Sequence, residues 1–169
     1  MGRYNVPLEK GNAPVTHTCD YKDLHTLINK ELPPTKWIVV DQALVDAFAD
    51  ATGDHQWIHV DVDRAKKEIG GTIAHGFLTL SLMPIMSQEA LHVTGVSRGL
   101  NYGCNKLRFT GVVPAGSKIR MRTTVTNIEE KNGGRLITRN CIVEVQGPDG
   151  KIHDKPAYVA EWLGLVFPG

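Results

Sequence analysis

The apolar positions of this chain change their period about halfway along. Between residues 41 and 53 they recur at helical spacing. Leu44, Val45, Phe48 and Ala51 share one face, Asp41 stands where an N-cap is needed, and Gly53 where a helix stops. Residues 20–31 carry a shorter version, with Asp20 as cap, Leu24, Leu27 and Ile28 on one face, and Pro33-Pro34 as the end. Trp37-Ile38-Val39-Val40 reads as a strand between these two helices, and Asp61 opens a further short helix through Ile69, closed by Gly70-Gly71. Residues 76–91 differ from all of these. Phe77, Leu78, Leu80, Leu82, Met83, Ile85, Met86 and Leu91 make them apolar nearly all round, which predicts a buried helix bent at Pro84.

The second half has a period of two. Leu100, Tyr102, Leu107 and Phe109 lie in a β-like stretch, and Ile119, Met121, Thr123 and Val125 alternate with polar partners. Residues 135–146 are rich in β-branched side chains, Gly147-Pro148-Asp149-Gly150 has the sequence of a type I turn, and Tyr158, Ala160, Trp162 and Gly164 alternate again. Long strands with short turns predict an antiparallel sheet. One apolar helix followed by such a sheet predicts a single α+β domain over residues 1–169, with an irregular segment at 1–18. There is no repeat, linker or low-complexity stretch.

Composition narrows the function classes. A net charge of +1, with Lys and Arg spread along 169 residues, argues against a nucleic-acid footprint. The longest apolar run, 77–86, is broken by Thr79, Ser81 and Pro84 and is too short to span a bilayer. The N-terminus has no apolar leader, and Val6 stands where a myristoyl signal wants Ser or Thr. Cys19, Cys104 and Cys141 are an odd number at wide spacing, which predicts buried or half-buried free thiols. A cytoplasmic protein is the expectation.

The chemistry concentrates at residues 53–76. After Gly53, a loop is expected to deliver Asp54 and His59 so that both side chains converge on one water; a carboxylate and an imidazole together can move protons near neutrality. The alternative is an Asp that caps local N–H groups and a His hydrogen-bonded in the core. His55 and His59, with Asp54 and Asp61, have a spacing that could hold a metal. The Glu of His-Glu-x-x-His is missing, however, and Gly53, Gln56 and Trp57 do not favour a helix, so no metal is expected. Gly76 opens the apolar helix. Without a Cβ it permits close approach, and the first N–H groups of a helix lack internal partners, so a carbonyl oxygen could be polarised there; the alternative is a tight turn and nothing more. No nucleophile elbow, Cys-centred motif or phosphate loop is present.

Phe48-Ala49, Thr52-Gly53-Asp54, Ile58-His59 and Asp61, followed by Ile73-Ala74-His75-Gly76, resemble the MaoC-like dehydratases, or (R)-specific enoyl-CoA hydratases. Gly-Asp-His-Gln-Trp-Ile-His and Gly-Thr-Ile-Ala-His-Gly-Phe-Leu-Thr-Leu-Ser are closest to the nodulation protein N-like branch. The resemblance runs from about residue 35 to the end. It implies a hotdog fold with 76–91 as central helix, no metal or other cofactor, and a homodimer with its acyl tunnel near the subunit interface. It implies an acyl-CoA substrate, trans-2-enoyl-CoA, hydrated by the Asp54–His59 dyad, with the Gly76 N–H on the thioester oxygen. It also implies substrate contacts from Gln56, Trp57, Ile73, Ala74, His75, Phe77 and Ser81. Two departures stand out. Many members carry Asn-Pro where this chain has Gln56-Trp57, so pocket width and loop shape should differ. Some use a Ser where this chain has Pro84; Ser81 lies one turn earlier. A non-catalytic acyl-CoA-binding module and a hotdog thioesterase are the alternative activities.

Overall fold

A computed structural model describes residues 15–169. Most of the 1–18 segment, including the positions read for a leader or a myristoyl signal, lies outside the described residues; Thr18 already belongs to a strand. The main sheet is built from β5 (Val96–Phe109), β6 (Ser117–Lys131), β7 (Gly134–Gln146) and β8 (Tyr158–Pro168), extended by the short β2 (Glu31–Leu32) and β3 (Ile38–Val40). Its order is β2-β6-β7-β8-β5, with β3 also on β6, and these pairings are antiparallel. A separate parallel pair joins β1 (Thr18–Asp20) to β4 (His92–Thr94).

The period of two decides which face is buried. In β6, Ile119, Met121, Thr123 and Val125 point inward, and β7 supplies Cys141, Val143 and Val145 on the same face. Leu78, Met83 and Met86 pack onto this face together with Val40, Tyr158 and Ala160. Each such side chain, fully buried, contributes about 1.5–3 kcal/mol. The sheet therefore wraps the apolar helical segment, which is the hotdog arrangement expected from the sequence.

That segment is not one bent helix. It is α4 (Gly76–Ser81) followed by α5 (Met83–Ala90), separated at Leu82. Pro84 has no N–H to continue the ladder, and it sits in the first turn of α5, where none is required. Leu82 instead closes a tight turn onto the Thr79 carbonyl at 3.3 Å. Burial all round also fails for α4: Phe77 is 66% exposed and Ser81 is exposed.

The caps follow the sequence closely. In α1 (Gln42–Thr52) the Asp41 side chain accepts from Leu44 N–H, and Gly53 ends the helix at φ +79°. Asp61 accepts from Arg64 N–H to open α3 (Val62–Ile69), which stops at Gly70. Asp20 caps a shorter element than expected, a 3-10 helix over Tyr21–Leu27. Cys19 and Cys141 are buried free thiols, whereas Cys104, on β5, is exposed, against expectation. Among the described residues no helix is long and apolar enough to cross a membrane.

Candidate active site

Gly53 turns the chain out of α1, and its N–H closes on the Ala49 carbonyl at 2.8 Å. Asp54 follows, exposed, with Oδ1 accepting from the Gln56 N–H at 3.4 Å. The next residues form one helical turn, α2 (Trp57–Val60), where the sequence suggested an open loop. The turn is held from outside: the Arg64 guanidinium lies 4.2 Å over the Trp57 ring, and Gln42 Nε2 donates to the His59 carbonyl at 2.8 Å. Winding these residues carries His59 inward, to 7% exposure.

Hydrogen bonds fix the ring protons. A carbonyl oxygen only accepts, so His59 Nδ1, 2.7 Å from the Ile73 carbonyl, carries a hydrogen, and in the neutral ring the lone pair is on Nε2. By the same argument His75 Nε2 donates to the Asp54 carbonyl at 2.9 Å. His75 Nδ1 is buried and has no partner among the described residues. The two imidazoles stack, with centroids 3.7 Å apart and planes 25° apart. Ligand-type atoms of Asp54, His59 and His75 lie within 4.8 Å of one another.

A metal would have to use this trio, not the His55–His59 pair. His55 turns away to Asp50, 2.9 Å from its carboxylate; this hydrogen bond raises the imidazole pKa above its ordinary value. Asp61 is spent on capping α3. Imidazole lone pairs lie in the ring planes. In two stacked rings tilted by 25° those planes run nearly side by side, an arrangement poorly suited to directing both lone pairs at one ion.

His59, Ile73, Ala74 and Gly76 line one side of a cavity of about 230 Å³, and Thr79, Phe109, Gly111, Val112, Val113 and Ala157 complete it. Among the described residues the Gly76 N–H donates to no protein acceptor. Gly76 also lies tight against Phe109: a Cβ there would sit 3.1 Å from the ring. The helix behind that N–H has six residues, so its dipole is smaller than a continuous 76–91 helix would supply.

Of the residues expected to contact substrate, Ile73 and Ala74 line the cavity and the others do not. Gln56 is exposed at the head of α2 and Trp57 is engaged with Arg64. Phe77 points outward and meets Phe109 edge-on at 5.6 Å. Ser81 donates back to the Phe77 carbonyl at 2.7 Å, one turn up its own helix. His75 is 3% exposed and sits behind His59. Sequence reasoning missed the wall formed by Phe109, Gly111–Val113 and Ala157. Apolar residues at strand ends carry no local signal that they line a cavity. Thr79 is also new; its hydroxyl donates to the Gly76 carbonyl at 2.7 Å.

Comparison with known proteins agrees with the fold and the motif. The MaoC like domain family matches residues 23–146. The 3-hydroxyacyl-thioester dehydratase Z of Mycobacterium tuberculosis is 43% identical over 141 residues, covering 82% of this chain and 90% of that protein. Nodulation protein N of Rhizobium meliloti is 38% identical over 154 residues, covering 89% and 92%. Among solved structures, the R-hydratase PhaJ1 of Pseudomonas aeruginosa superposes with a TM-score of 0.69 at 21% identity, over 94% of this chain and 88% of that one. The chain therefore belongs to the MaoC-like dehydratase family and is a hydratase/dehydratase, a hydro-lyase, built on the hotdog fold.

Proposed function

We propose that this protein reversibly adds water to a trans-2-enoyl thioester, with (R) stereochemistry, using Asp54 and His59. The observation that carries the proposal is the fixed tautomer of His59. With Nδ1–H tied to the Ile73 carbonyl, Nε2 is the ring's basic atom on a residue that lines the cavity. His59 Nε2 takes a proton from water held between it and the Asp54 carboxylate, and the water oxygen bonds to carbon 3. Electron density moves from the carbon–carbon double bond onto the thioester oxygen, where the free Gly76 N–H donates. The dyad then returns a proton to carbon 2, and the net change is the addition of one water. Dehydration is the same path reversed.

A cavity of about 230 Å³ suits the reacting end of an acyl chain and leaves the carrier outside. Coenzyme A is the carrier we favour. The (R) assignment draws on the solved R-hydratases that share the fold. A homodimer joined along β5 belongs to the same reading. Among the described residues this 14-residue strand is bonded on one side only, to β8, and it is exposed along nearly its whole length. Relatives in fold are described as complexes, such as ChsH1-ChsH2 and HadBC of Mycobacterium tuberculosis. A cytoplasmic location is proposed with it, consistent with three free thiols.

The test is a pair of assays on crotonyl-CoA. Hydration removes the ultraviolet absorbance of the conjugated double bond and leaves no free thiol. A thioesterase would release a thiol, and a binding module would change neither signal.

A further inference from the structure

We propose that His75 is a positioning residue for the Asp54–His59 pair. It holds the loop carrying Asp54 through its Nε2–H and supports the His59 ring with its face. The proposal rests on the hydration reading and deepens it.

Two contacts from one side chain reach both members of the pair. Nε2–H donates to the Asp54 backbone carbonyl at 2.9 Å, and the ring stacks on His59 at 3.7 Å. Asp54 has few other restraints. It is exposed, and among the described residues its remaining hydrogen bonds are long ones at 3.4–3.5 Å within residues 52–56. His75 is therefore the strong tie between residue 54 and the base of α4. The tie is held in place because His75 is 3% exposed and Phe48 also packs against its ring, tilted, with centroids 5.1 Å apart.

The stack has a chemical use. When His59 takes a proton from water, its imidazolium lies over an aromatic face, and such a face attracts a cation. Nδ1 of His75, which has no partner among the described residues, fits this arrangement, since the side chain is oriented for Asp54 and His59 at the expense of its own second nitrogen. His75 is not among the residues that line the cavity and is buried behind His59, so the proposal places its effect on kcat and not on KM.

The experiment compares the parent with His75→Ala, His75→Gln and His75→Phe, using steady-state hydration of crotonyl-CoA and deuterium uptake by residues 53–60. Gln keeps an N–H near the place of Nε2 and loses the ring. Phe keeps the ring face and loses the donor. His75→Ala should lower kcat by about 10²-fold, as expected for misplaced catalytic groups, with KM unchanged. Gln and Phe should each recover part of that loss. Exchange should rise about fivefold in Ala and Phe and stay parental in Gln, the change expected for one lost hydrogen bond. A folded Ala variant with parental kcat, or a loss confined to KM, would overturn the proposal. Should Ala fail to fold, Gln and Phe decide: parental kcat in both overturns it, and a fall in both supports it. A parent that hydrates no enoyl thioester would sink the hydration reading alone. The exchange pattern then still decides whether His75 ties down Asp54, with equal uptake in Gln and Phe counting against it.

Discussion

Gly76→Pro isolates the proposed oxyanion donor. The substitution deletes one of the N–H groups at the start of α4 that have no protein acceptor among the described residues, the one on the residue that lines the cavity. The site should tolerate it. Residue 76 is the first of its helix, where proline's missing donor is not needed, and His75 at φ −60°, ψ 138° already has the extended backbone that precedes a proline. Removing one preorganised donor to a developing oxyanion costs roughly 2.7–4 kcal/mol, or about 10²–10³ in turnover. The short helix behind the N–H keeps the dipole share of that figure small, so the lower end is expected. Gly76→Ala is the companion. It keeps the donor but puts a Cβ 3.1 Å from the Phe109 ring. Phe109 is 39% exposed and lines the cavity, so it can yield toward the substrate's space. Helix propensity favours Ala over Gly by about 0.5–1 kcal/mol, which offsets the crowding. Ala should therefore raise KM with little change in thermal midpoint; Pro carries a Cβ at the same place and shares that effect, and the fall in kcat beyond Ala's is the part due to the lost donor. The assay is steady-state hydration of crotonyl-CoA beside a thermal melt. A folded Gly76→Pro variant with parental turnover refutes the donor role and leaves Gly76 only its fit against Phe109.

His55→Gln should leave hydration near parental, because His55 is paired outward with Asp50; a collapse of activity in this variant would contradict the assignment of His59 as the base. Alkaline stability follows from burial. The Cys141 thiol and the Tyr158 phenol are both pushed above their usual values of 9.0 and 10.0, so the folded chain keeps protons that the unfolded chain releases. The stability this confers is intact below about pH 9 and falls as pH rises beyond it. Melts from pH 7 to 10.5 should show that decline, shallower in Cys141→Ala; a melting point that climbs over this range would reverse the sign. Sedimentation at micromolar concentration should give a dimer, and only an 18.6 kDa species would contradict pairing along β5.

Where one residue type has one physical job, the sequence could be read directly. Asp41, Asp61, Gly53 and Gly70 marked helix ends because side-chain caps and left-handed stops are local devices. The alternation in β6 and β8 marked the buried face for the same reason. The spacing raised Asp54 and His59 as possible neighbours, and the structure places their ligand-type atoms within 4.8 Å, but the turn of helix that delivers His59 was not legible. Its supports are Gln42 and Arg64, which tertiary structure brings in. The break at Leu82 was half legible: Pro84 signalled a disturbance, and only packing decides between a bend and two helices. His75 looked like a neighbour of the motif glycine. Its stack on His59 joins residues sixteen apart and has no signature in a linear pattern.

The central claim is that Asp54 and His59 perform the hydration, and its most direct test is the turnover of crotonyl-CoA by Asp54→Asn and His59→Gln beside the parent. General acid–base groups contribute about 10²–10⁴-fold. The account predicts losses of that order in both variants, with folded protein and no release of thiol by any of the three. Near-parental hydration by both variants, on a substrate that the parent hydrates well, would contradict it.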